Sequence, residues 1–218
     1  MTVIDLETLT LTYGSHSNRN QGVCLMEAVA WFAGQKHTDH PPCVSPMLAS
    51  FGISLNDNWD DAARQQLRQF IPRLPGTAGD GQDETRGYLA LDWLIRVYLP
   101  AWLDLAGLDG EATQLQELAP IASLETAEAA GPVVRNARTK AAAARVAAWA
   151  AAGAAARAAA GDVAGDAAWA AAGAAAGAAA GDAAWAAARA KLAPTVAILQ
   201  ASTLELFSRM IDVGQVTP

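Results

Sequence analysis

The sequence predicts an all-α protein: a helical N-terminal domain, residues 1–130, with a loop region holding cysteine and histidine, then long Ala/Gly/Trp-rich helices and a returning C-terminal helix over 131–218. Three observations carry that prediction. Apolar residues recur at helical spacing through most of the first half, and only Thr2–Tyr13 alternates in the manner of a strand. Beyond Arg135 the composition turns to alanine, the best helix former. That alanine-rich stretch repeats itself, which suits helices packed as a bundle or hairpin.

Taken in order, Thr2–Tyr13 allows a short strand or an extended arm, with Val3, Leu6, Leu9, Leu11 and Tyr13 as its apolar positions. Gly14–Gln21 has no periodicity and reads as a loop. Val23–Ala33 is a helix, with Val23, Met26, Ala30 and Ala33 on one face and Leu25, Val29 and Phe32 beside it; Gly34 supplies a left-handed C-terminal cap. A loop over Gln35–Pro42 stops at Pro-Pro, and Pro46 opens the next helix from its first turn. Asp60 or Asp61 caps a third helix running to Phe70, which turns Leu67, Phe70 and Ile71 inward.

Pro72–Gln82 is a long irregular connector. Glu84–Leu105 follows as the clearest amphipathic helix, with a stripe of Leu89, Trp93, Leu94, Val97 and Tyr98, and with Pro100 set to kink or split it. A short helix spans Ala112–Ile121, and one starting near Ser123 is expected to break at Gly131-Pro132. Pro194 is expected to start the last helix, Thr195–Val213, with Val196, Leu199, Leu204, Phe207, Met210 and Ile211 facing inward.

The repeat is plain. Ala147–Asp162 reads AAWAAAGAAARAAAGD, Ala167–Asp182 differs from it only by Gly177 in place of Arg157, and a third copy begins at Ala183. Each tryptophan is followed one turn later by Gly153, Gly173 or Arg189, so the indole lies over little or movable bulk. Small residues at every fourth position let helix backbones approach closely, on each other or on a second chain.

Composition narrows the classes of partner. The chain has 218 residues, 52% of them hydrophobic and 17% charged, which describes a packed protein able to bury a core. A net charge of −7 with no run of lysine or arginine argues against a nucleic-acid partner. The longest uncharged run, Ala167–Gly181, is shorter than the roughly 20 residues that cross a bilayer, and Arg145, Arg157, Asp162, Asp166, Asp182 and Arg189 flank or interrupt the stretch, so no membrane span is expected. The acidic start MTVIDLETLTL lacks the pattern of a secretory signal, so a cytoplasmic protein with both cysteines reduced is expected.

All of the histidines and cysteines, His16, Cys24, His37, His40 and Cys43, lie between Gly14 and Pro46. Cys24 falls in the first turn of its helix, where N–H groups and the helix dipole favour a thiolate, and Glu27 lies one turn on. The helix is about 15 Å long while the Gln35–Cys43 connector can extend to about 30 Å, so Cys43 is able to return beside Cys24. Cys24, His37, His40 and Cys43 would then supply two sulfurs and two nitrogens for tetrahedral zinc, with His16 as a substitute ligand. Against this stands the wide separation of the cysteines, since structural zinc sites pair them closely, and two buried thiols with loop histidines describe the same residues without any cofactor.

Cys24, Glu27 and His37 are the candidates for catalysis, with His37 or His40 as base to a Cys24 nucleophile. His16, Asn20, Gln21, Glu27 and Asp39 are the candidates for binding. Asn20-Gln21-Gly22-Val23-Cys24 resembles the start of the papain-like peptidase signature, but that family's nucleophile position holds Glu27 here and no histidine follows His40. No G-x-S-x-G elbow, phosphate loop or dinucleotide fingerprint is present.

The pattern GSH, CxMEAVAW-AG, H-DHP-C-SP and a later DW with PAWL resembles a group of actinobacterial and actinophage proteins. It is carried here by His16, Cys24, Met26, Glu27, Trp31, His37, Asp39, His40, Cys43, Asp92, Trp93, Pro100 and Trp102. The resemblance covers about half of the chain, implies a bacterial or phage origin, and transfers no activity. The function expected is that of a non-enzymatic binding or assembly protein, a homo-oligomer or the partner of another protein, associating through its Ala/Trp helices. The alternative is a small metal- or thiol-dependent enzyme centred on Cys24, His37, His40 and Cys43.

Overall fold

The computed structural model of the chain describes residues 4–161 and 167–213, with side chains for all of these except 148–189. The described residues are helical with no strand among them, as the periodicity predicts. They form two compact units. The first comprises the chain up to Trp93 together with Ile121–Ser123 and the segment from Gln200 onward; the second comprises Leu94–Pro120 and Leu124–Leu199.

Helix α1, Leu25–Phe32, is the centre of the first unit. Its residues Leu25 through Ala30 are all buried, so the helix is covered on every side where the sequence suggested one inner face. It ends as expected: Gly34 takes φ +69°, its N–H donates to Trp31 O at 3.0 Å and Gln35 N–H donates to Ala30 O at 2.8 Å, which together satisfy two orphan carbonyls.

Helix α2, Pro46–Asn58, starts on proline behind Ser45, whose side chain accepts from Leu48 N at 3.2 Å. At Gly52 helix α2 approaches its neighbours closely: a Cβ there would lie 2.9 Å from Met26 Cε and 3.1 Å from Leu25 Cδ2. Helix α3, Asp61–Gln65, is capped by Asp60, which accepts from Ala63 N at 2.8 Å, and passes into a tighter turn over Gln66–Phe70. Leu67, Phe70 and Ile71 are buried as expected.

Helix α4, Asp83–Trp93, places the fully buried Arg86 against Asp80 and Asp83, and its Nε donates to Met210 O at 2.9 Å. Leu206, Phe207, Met210 and Ile211 complete the core, with the Phe207 ring 4.7 Å from that of Phe70 and 5.5 Å from that of Phe51.

The expected Glu84–Leu105 helix is not α-helical throughout. A π-helical stretch over Leu94–Tyr98 separates α4 from α5, Leu99–Leu105. Pro100 has no N–H to offer the preceding turn, and the wider π turn absorbs the mismatch. That turn rotates the apolar stripe: Ile95 is buried while Leu94 and Val97 are exposed. Helix α6, Asp109–Gln116, packs on α5, with Ala112 and Leu115 buried.

Two further expectations are corrected. Helix α7, Leu124–Gly161, runs through Pro132, and α8, Ala167–Asp212, runs through Pro194, so neither proline breaks or starts a helix. A proline inside a helix costs about 3 kcal/mol through a lost hydrogen bond and a clash. The carbonyls left over belong to Glu128 and Ala190, both exposed to water, and long alanine-rich flanks propagate the helix past the defect. Along the expected C-terminal stripe, Leu199, Phe207, Met210 and Ile211 are buried, whereas Val196 is exposed. Of the short strand or extended arm expected over Thr2–Tyr13, no strand forms between Ile4 and Tyr13, where the chain is irregular and Leu11 is buried; the first residues of the segment lie outside those described. The tryptophan-over-glycine packing of the repeat likewise lies outside the described side chains.

Candidate functional site

Glu27 is the hub of the polar residues in the first unit. It sits in the first turn of α1 at 1% exposure, surrounded by apolar core, where an uncompensated carboxylate would be costly. Compensation comes from several sides. Its Oε1 accepts from the His16 amide at 2.5 Å; its Oε2 accepts from the Cys24 amide at 2.8 Å and from His16 Nδ1 at 2.9 Å. His37 Nε2 stands 3.5 Å from Oε1 and donates to the His16 carbonyl at 2.8 Å.

Burial works against ionisation, but the Cys24 and His16 amides and the His16 ring outweigh it and hold the Glu27 carboxyl below the usual carboxylate range. The helix N-terminus favours the same charge. Two loops read as irregular in the sequence, Gly14–Gln21 and Gln35–Pro42, are thereby tied to one side chain.

Cys24 is the residue preceding α1 and is 5% exposed. Burial pushes its thiol up to about 12, helped by the negative charge of Glu27, so the dipole effect expected to favour a thiolate is overridden. A thiol in that state is a poor nucleophile.

His16 completes its second ring nitrogen with Thr12: Oγ1 lies 3.1 Å from Nε2. Hydroxyl, imidazole and carboxylate therefore stand in the order of a nucleophile, base and orienting acid. That chain is closed on itself, because Thr12 Oγ1 also accepts from Val23 N at 2.9 Å, and Gly22, at φ +143°, covers the pair so tightly that a Cβ would lie 2.5 Å from His16 Nε2 and 2.6 Å from Thr12 Oγ1. Only glycine fits there.

The other candidates are dispersed. His40 lies at the surface with 74% side-chain exposure, its Nδ1 2.9 Å from Asp39 Oδ1, and this contact holds the Asp39 carboxyl below its ordinary range. Cys43 is half-buried and unbridged, and its carbonyl accepts from Gly76 N at 2.9 Å. Asn20 and Gln21 are exposed loop residues, with the Asn20 amide turned onto Asn18 Oδ1. Among the described residues, no three His, Cys, Asp or Glu side chains form a group able to hold a metal ion. The structure thus brings together His16, Glu27, His37 and the Cys24 amide, and leaves His40 at the surface.

Four contributors, Thr12, Asn56, Asp57 and Arg64, carry no motif in the sequence. Thr12 takes part through its hydroxyl. Asn56, 1% exposed, accepts from Leu25 N at 3.1 Å and donates to Thr12 O at 3.0 Å and Asp57 Oδ1 at 2.9 Å, while Asp57 accepts from Gly14 N at 3.0 Å. Arg64 in turn caps the end of α2, its Nε donating to Asn56 O at 2.6 Å and its Nη2 to Trp59 O at 2.7 Å. A cavity of about 90 Å³ lies within this network, bordered by Ser15, Cys24, Asp39, Asn56 and Asp57. It has room for a few water molecules and is well below the roughly 300 Å³ at which small-molecule pockets begin.

No helix among the described residues is long and apolar enough to cross a membrane. No protein-family model, curated protein or solved structure matches this chain.

Proposed function

We propose that this chain is a non-enzymatic binding and assembly protein, in which a closed helical head carries alanine-rich helices that associate with those of further copies. The observation that carries the reading is the exposure of large apolar side chains on the two long helices: Val146 on α7 is 66% exposed and Ile198 on α8 is 68% exposed. With 38 and 46 residues, α7 and α8 run for about 57 and 69 Å at 1.5 Å per residue. Helices of that length, built largely from alanine, offer an extended surface on which another helix backbone can lie closely. A second copy is the occupant argued for, because a module repeated within one chain presents the same surface again in the next.

The state of the head supports the same reading. Its buried carboxylate, the paired imidazole and the protonated thiol are consumed by contacts within the fold, which suits rigidity and leaves little for turnover. Sedimentation velocity on the Val146→Asp/Ile198→Asp double variant tests the proposal. The intact chain is expected to sediment as an oligomer and the double variant to shift to the monomer; identical profiles overturn the assignment of this surface.

A further inference from the structure

We draw no further inference here: the strongest candidate, the apolar groove of about 380 Å³ that Pro41, Val44, Pro46, Ala49 and Ala78 line beside the exposed His40, carries nothing, because nothing in the structure shows what covers it.

Discussion

Replacing Glu27 with glutamine is the sharpest perturbation of the head, because it preserves shape while exchanging one acceptor oxygen for a donor. The carboxylate accepts from the His16 amide, the Cys24 amide and His16 Nδ1. Whichever way the new amide turns, its NH₂ group faces at least one of these donors. A buried donor left unpaired costs about 1–3 kcal/mol, and the two bonds that survive lose the assistance of a full charge, about 1 kcal/mol each. The sum is a loss of roughly 3–5 kcal/mol, a large share of the ~5–15 kcal/mol by which a domain is stable. Guanidinium unfolding followed by near-UV circular dichroism reads it as a lower midpoint at unchanged slope. Asp61→Asn is the control: its carboxylate is 93% exposed on Arg64, and its loss is expected to cost under about 1 kcal/mol. A Glu27→Gln loss no larger than that of the control refutes the view that this carboxylate organises the head.

The same residue sets an acid limit. A carboxyl held below its ordinary value of 4.5 contributes stability that is fully present above that pH and is lost as the pH falls through the folded-state value. Stability of the wild-type head is therefore expected to fall below pH 4.5 with a steeper slope than that of Glu27→Gln, which retains the dependence due to other carboxyls held low, Asp39, Asp80 and Asp5 among them; equal slopes contradict the assignment. Thiol labelling of the native protein near pH 8 is expected to modify Cys43 first and Cys24 only on unfolding, and peptide mapping that finds Cys24 labelled first would show its thiol to be open and reactive. Gly22→Ala combines a left-handed backbone with a Cβ placed on the His16–Thr12 pair, so a loss of about 2–4 kcal/mol is expected by the same unfolding assay, against no more than a few tenths if the loop simply shifts aside. Elemental analysis of the purified chain is expected to find no stoichiometric zinc, because His40 stands at the surface against Asp39 and, among the described residues, no three ligand-type side chains form a group able to hold a metal ion; one equivalent of zinc that is lost in Cys24→Ala would restore the four-ligand arrangement of Cys24, His37, His40 and Cys43.

Local signals in the sequence foretold much of the fold. The left-handed Gly34, the first-turn Pro46 and the capping Asp60 all punctuate helices where expected, since each acts through backbone geometry that needs no distant partner. Pro100, Pro132 and Pro194 were legible only in part. Whether a proline breaks a helix depends on how strongly the flanks propagate it and on whether water reaches the freed carbonyl, and both lie beyond a local reading. The outcome at each site differs accordingly: a π turn before Pro100, and continuous helix through the other two.

The site divides along similar lines. The gathering of histidine and cysteine in one stretch marked the region in which Glu27 collects its contacts, yet residue type alone suggested sulfur and imidazole chemistry, while the structure turns on a carboxylate meeting backbone amides. Amides carry no sequence signature. Asn56 arrives from a helix with no motif, and Thr12 from an arm whose alternation allowed a strand; that Thr12 meets the His16 ring and Asn56 meets Thr12 O and Leu25 N is a tertiary fact. Gly22 was the one available clue, a glycine directly before the buried Val23-Cys24 step, where only a missing side chain leaves space for His16.

The most direct test of the whole account compares the sedimentation of the intact chain with that of a chain lacking residues Ala147 to Asp182, over a wide range of concentration. The intact chain is expected to form a concentration-dependent oligomer and the shortened one to remain a folded monomer. An intact chain that stays monomeric throughout, or a shortened chain that assembles equally well, contradicts this expectation.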